Sequence, residues 1–193
     1  LFWIGFIFSG IRPYDYFTWF LEVVPALIGF LILAFTFKRF PFTYLTYVFI
    51  LIHSYVLFVG GHYTYAEVPW FNDIKEFLGH SRNNYDKIGH FMQGFVPAMI
   101  IRELFLRKQI VRKGWMPFVV FCVCLAISAL YEFLEWLVAL LSGESAEAFL
   151  GTQGYEWDTQ SDMLLASIGA ITMLVIFSKI QNKAIQKLAI SAH

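Results

Sequence analysis

Long apolar runs broken by short polar clusters organise the chain. The runs fall at roughly 18–37, 43–60, 84–106, 115–141 and 159–180, with a shorter one at 1–10. A helix needs about 20 apolar residues to cross a hydrocarbon core, so each of the five longer runs predicts a span and the first a partial one. Backbone groups in lipid must find their partners within the segment, so the spans are helices. No Pro/Ser-rich linker, low-complexity run or repeat divides the sequence. The pattern therefore predicts one integral membrane domain over 1–193, an all-α polytopic bundle of about six transmembrane helices. The run at 1–10 is too short to cross alone and the chain opens at Leu1, so a first helix truncated at its N-terminus is expected.

Composition agrees with the pattern. The chain is 59% hydrophobic and only 15% charged, with a mean hydropathy of +0.62; a soluble domain of this size carries more polar surface. Its formal net charge of zero conceals a sorted distribution. Lys38 and Arg39 follow the first full span. Arg102, Arg107, Lys108, Arg112 and Lys113 close the third, and Lys179, Lys183 and Lys187 close the last. By the positive-inside rule these regions are cytoplasmic, which puts both termini inside and the loops at roughly 61–83 and 142–158 outside. Arg12, Lys75, Arg82 and Lys87 are the basic residues of the outer side, where acids outnumber them. A charge balance of this kind argues against nucleic acid as a partner. Cys122 and Cys124 lie in an apolar run and read as buried packing rather than a disulfide or thiolate site.

The acids, Glu103 excepted, gather at the outer ends of the spans, where the candidate chemistry lies. Asp86 with His90, and Asp158 with Asp162, are i,i+4 pairs, and Glu132 with Glu135 is i,i+3, so each pair projects from one helix face. At about 1.5 Å rise per residue, His90 and Asp162 lie about 6 Å inside their helix starts, and Glu132 and Glu135 about 9–13 Å inside the outer end of theirs. Those depths overlap, with His62 above them and Glu22 within reach on another span. An ionisable group deep in a span costs roughly 2.5–3.5 kcal/mol, so half a dozen unpaired ones would cost on the order of 15–20 kcal/mol. That exceeds the roughly 5–15 kcal/mol by which a typical protein is stable. The group must be paired, protonated, hydrated or metal-bound.

A divalent cation would resolve the excess of carboxylates. His62, Asp86, His90, Asp158 and Asp162 are its candidate ligands, and imidazole with carboxylate suits zinc, manganese or iron. Glu132 and Glu135 are the candidate catalytic bases, deepest in the cluster. Taken singly, Asp86 and Asp158 also read as helix caps. His53 lies on the far face and deeper, and is expected to bond a neighbouring helix; His80 reads as solvated. Trp19, Trp70, Trp136 and Trp157 sit at segment ends as interfacial belts do. The loop Gly151 to Gly154 reads either as a cover for the cluster or as a plain turn.

The runs GGHYTYAEVP, SRNNYDKIGHFMQGFVPA, ISALYEFLEW and AFLGTQGYEWDTQSDM resemble the YjdF-type bacterial inner-membrane proteins, a family of unassigned function. The order Asp86-Lys87, His90-Phe91, Glu132, Glu135, Asp158 to Asp162 and Gly169 is distantly similar to the VanZ-like membrane proteins, with Glu135 and Trp136 where that family has glutamine. The first resemblance implies a bacterial inner (cytoplasmic) membrane location, where the positive-inside distribution has the cluster facing the periplasm or exterior; the second resemblance implies a cell-envelope role.

Two classes of function compete. In one, the chain is a metal-assisted hydrolase or transferase acting on a lipid head group or lipid-linked envelope precursor. In the other, it is a non-catalytic membrane component whose polar cluster locks helices, binds lipid or docks a membrane-protein partner. Transport of protons or cations ranks last, because His53 is nearly alone in the inner half.

Overall fold

A computed structural model describes residues 1–142 and 152–191, and these contain helices and turns but no strand. The helices are α1 (Phe2–Ser9), α2 (Tyr16–Thr36), α3 (Tyr44–Tyr63), α4 (Pro69–Leu78), α5 (Tyr85–Lys108), α6 (Met116–Ser142) and α7 (Asp158–Thr172). The last continues through a π-helical segment (Met173–Phe177) into α8 (Ser178–Ser191). Among the described residues, four stretches are long and apolar enough to cross a membrane: Tyr16–Thr36, Tyr44–Tyr63, Met116–Leu141 and Asp158–Ile190.

The expected runs recur as helices with ends moved by a few residues, except that the last continues as helix to Ser191, and local chemistry explains two of the starts. Asp15 accepts the Thr18 amide at 2.6 Å and starts α2, while Thr43 accepts the Thr46 amide and starts α3. One helix was not expected. The segment expected as a loop at 61–83 contains α4, opened by Pro69 and closed by Gly79 at φ +65°. Trp70, Ile74 and Phe77 of α4 are exposed, the arrangement of a short amphipathic helix lying along a membrane surface. Its apolar period is brief and interrupted by Asn72, Asp73 and Lys75, so it reads as loop at span-length resolution. Most of the loop expected at 142–158 lies outside the described residues.

α5 is the central helix, packed against α3, α6 and α7. It is long enough to span but is not among the four most apolar stretches. Its polar side chains are hidden from lipid by its neighbours, so they cost less there than on an outer helix. The α5–α7 contact is the closest in the bundle: a Cβ at Gly94 would overlap the Ala166 carbonyl, and one at Gly169 would lie 3.0 Å from the Phe91 carbonyl carbon. Small residues permit this approach, the usual means of joining helices in lipid. Phe95, Met99, Val120, Cys124, Ala170 and Met173 fill the core behind it. Cys124 is buried as expected, whereas Cys122 is exposed on the outside of the bundle.

At the basic end, Glu103 is fully buried and accepts from the Thr43 amide at 2.8 Å, the Thr43 and Thr46 hydroxyls at 2.8 and 2.6 Å, and Arg107 at 3.0 Å. The acid set apart by sequence is thus a fixed joint between α5 and the start of α3. Arg107 also lies over the Phe40 ring at 3.9 Å and donates to the Pro41 carbonyl, closing the α2–α3 turn.

Candidate functional site

The starts of α2, α5 and α7 and the ends of α3 and α6 meet at the acidic end. Glycines set the spacing there. A Cβ at Gly61 would lie 3.0 Å from the Glu22 Cβ, so α3 holds Glu22 of α2 close. Beyond α3, Thr64 and Tyr65 adopt left-handed conformations, φ +54° and +52°, and turn the chain back. The Tyr65 ring then enters the gap left by Gly60 on α3 and Gly89 on α5, where a Cβ at Gly89 would lie 3.0 Å from it. Tyr65 is buried, and that burial, with the Glu22 carboxylate nearby, pushes its phenol well above the ordinary tyrosine range, so it stays protonated.

His90 is the centre of the cluster. Its Nε2 lies 3.2 Å from Asp86 Oδ1 and 3.8 Å from Asp162 Oδ2, and its Nδ1 lies 3.9 Å from Glu132 Oε1. Nδ1 is also 3.2 Å from Gln93 Oε1. An Nδ1–H donated to Gln93 leaves the Nε2 lone pair facing the two aspartates, the orientation a ligating histidine takes. Asp86, His90 and Asp162 are all buried, and each offers a ligand atom within 4.8 Å of the others. Among the described residues, Glu132 Oε1 and Asp162 Oδ1 have no hydrogen-bond partner, so the protein leaves part of the cluster's bonding capacity unfilled.

Two of the expected ligands lie elsewhere. Asp158 pairs with Arg82, which also lies 3.5 Å from Asp86. Arg82 is buried, bracketed by these acids and by the Tyr155 ring at 5.4 Å. Neither Asp86 nor Asp158 caps its helix: the capping residues are Asn84 and Trp157, and neither side chain bonds the helix. His62 stands apart, its Nδ1 2.8 Å from the Ser9 carbonyl and its ring against Tyr63.

Beside the cluster is a cavity of about 200 Å³. Glu22, Tyr65, Asp86, His90 and Glu135 form its polar wall, and Pro25, Leu57, Pro97 and Ile127 its apolar one. Pro25 and Pro97 each lie inside a helix, where a missing N–H loosens the backbone next to the space. His53, expected to bond a neighbouring helix, lines this cavity instead. Tyr65 and Tyr131 also line it and were not anticipated; Gly60-Gly61 ahead of an aromatic residue is the signal that would have found the first. Of the loop read as a cover or a plain turn, the described part is a turn closed by the Tyr155 amide on the Thr152 carbonyl at 2.9 Å, and Gln153 accepts from the Asn83 amide and donates to its carbonyl, each at 2.9 Å. Gly151 lies outside the described residues. Trp70, Trp136 and Trp157 are exposed, as an interfacial belt requires, whereas Trp19 turns inward and donates to Ser9 Oγ at 3.0 Å.

Comparison with known proteins supports the first of the two resemblances. Residues 1–183 match the family described as Predicted membrane protein (DUF2238). Inner membrane protein YjdF of Escherichia coli (strain K12) is 47% identical over 182 residues, covering 94% of this chain and 87% of that protein. No solved structure matches. The chain belongs to the DUF2238 family of predicted membrane proteins.

Proposed function

We propose that this chain is a multi-pass inner-membrane protein that holds one divalent cation on Asp86, His90 and Asp162, and acts as a hydrolase or transferase on a lipid head group or envelope precursor. The observation that carries the reading is the geometry of the three donors. Ligands at about 2.0–2.1 Å in a tetrahedron lie about 3.3 Å apart, and His90 Nε2 is 3.2 and 3.8 Å from the two aspartate oxygens. Three protein ligands leave an open position, as catalytic sites do. Zinc, manganese or iron suits this donor set.

Such a cation would acidify a bound water. Glu132, with an oxygen lacking a hydrogen bond and 3.9 Å from the His90 ring, is placed to take the proton. Glu135 and Glu22 on the cavity wall would orient the substrate. The positive-inside distribution supports a site at the outer leaflet, within reach of a head group, and the name of the similar protein, inner membrane protein YjdF, supports the membrane setting.

Elemental analysis of the purified full chain tests the reading. About one equivalent of zinc, manganese or iron is expected in the wild type and in Glu132→Gln, and a loss in His90→Ala and Asp162→Asn. No stoichiometric metal in the wild type overturns it. The Arg82 bridge between Asp86 and Asp158 favours the second reading, a structural polar lock that binds lipid or a partner. That reading expects the same substitutions to lower the melting temperature with no metal to lose.

A further inference from the structure

At the end of the bundle opposite the acidic cluster, about 18 Å along α5 from His90, a second cavity of about 600 Å³ lies between α5, α6 and the rod formed by α7 and α8. Arg102 forms part of its wall and is only 8% exposed. Its guanidinium donates to Gln181 Oε1 at 2.7 Å and to Asn182 Oδ1 at 2.8 Å. Gln181 is itself fully buried and donates to the Met99 carbonyl at 2.7 Å. The arginine is therefore aimed by neutral amides, and no carboxylate among the described residues forms an ion pair with it.

A structural arginine in this setting would ordinarily face a carboxylate, because a buried charge without a counter-ion is costly. Here the charge is kept and pointed at a space whose other polar lining includes Lys113 and Ser178. Leu106, Met116, Pro117, Leu174 and Ile185 are its apolar lining. The π-helical turn Met173–Phe177 precedes the two amides; it shifts the phase of the helix beyond it, as such turns commonly do at binding sites.

We propose that this groove binds the phosphodiester of an anionic phospholipid, with Arg102 and Lys113 on the phosphate and an acyl chain along Leu106, Met116 and Leu174. Guanidinium is suited to this ligand because its planar donors match phosphate oxygens. Basic pockets between helices on the cytoplasmic side are the usual place for such a head group. The inference is independent of the proposed metal site.

Native mass spectrometry of the purified full chain, titrated with phosphatidylglycerol or phosphatidylethanolamine, tests it. Retention of phosphatidylglycerol is expected to exceed that of phosphatidylethanolamine, and to fall about tenfold in Arg102→Gln. Lys113→Gln, at an exposed rim position, is expected to lose about threefold at an unchanged melting temperature, and decides the matter should Arg102→Gln not fold. Lys187→Gln, at a basic residue that does not line the groove, is expected to bind as the wild type. Equal retention of the two lipids, unchanged binding in both groove variants, or displacement of the lipid by inorganic phosphate overturns the proposal.

Discussion

Gly94→Ala perturbs the contact that brings α5 and α7 together, and through it the site. A Cβ there would overlap the Ala166 carbonyl oxygen and lie 2.5 Å from its carbon and 2.8 Å from its Cα. Ordinary carbon contacts are about 3.5–4.0 Å, so the helices must part locally by about 1 Å. Both sides of the contact are backbone, and no side chain can rotate away. Overpacking of this kind costs about 1–3 kcal/mol, which corresponds to a fall in melting temperature of about 2–12 °C for a chain of this size. Gly94 is one turn from His90, and Ala166 one turn from Asp162, so the parting is felt at the donor atoms of the proposed metal site. Metal sites tolerate displacements of about 0.2 Å, and binding is expected to be lost along with stability. Thermal unfolding and metal content of the purified variant measure the two effects. Gly29→Ala is the control, since a Cβ there meets nothing within 4 Å; it is expected to be neutral or to stabilise by up to about 1 kcal/mol. A Gly94→Ala protein that melts with the wild type would refute the reasoning.

Arg82→Ala removes the cation between Asp86 and Asp158 and is expected to destabilise by about 3–5 kcal/mol, the usual result of breaking a buried pair from one side; thermal unfolding measures it. Glu103→Ala loses four acceptor contacts at the start of α3 and should cost at least about 3 kcal/mol in the same assay, with Glu103→Gln intermediate because the amide keeps one acceptor oxygen. In a chain with Cys122 and Cys124 replaced by serine, an impermeant maleimide added to intact cells is expected to label Asp73→Cys on α4 but not Lys183→Cys on α8. The reverse pattern would overturn the orientation drawn from the basic residues.

Span-length helices were legible because lipid demands both apolar length and internal hydrogen bonding, and few segments of this chain satisfy both. The grouping of Asp86, His90, Glu132 and Asp162 was legible for a related reason: helical rise fixes depth, and equal depth on adjacent helices means proximity. What depth does not give is azimuth. His53 lines the cavity, a matter of helix packing that no single segment records. The partner of Asp158 was hidden because Arg82 precedes α5 and returns across the interface from 76 positions away. Tyr65 was missed because two left-handed residues reverse the chain after Gly60-Gly61, and neither Thr64 nor Tyr65 signals such a conformation by type. His62 lies on the side of α1, where the Ser9 carbonyl meets its ring.

A metal-edge anomalous difference map of the wild-type chain, crystallised without chelator, tests the central claim most directly. The account predicts one peak bounded by Asp86, His90 and Asp162, absent in Asp162→Asn. A featureless map there, with Arg82 and His90 alone facing the carboxylates, would contradict it and leave the cluster as a structural lock.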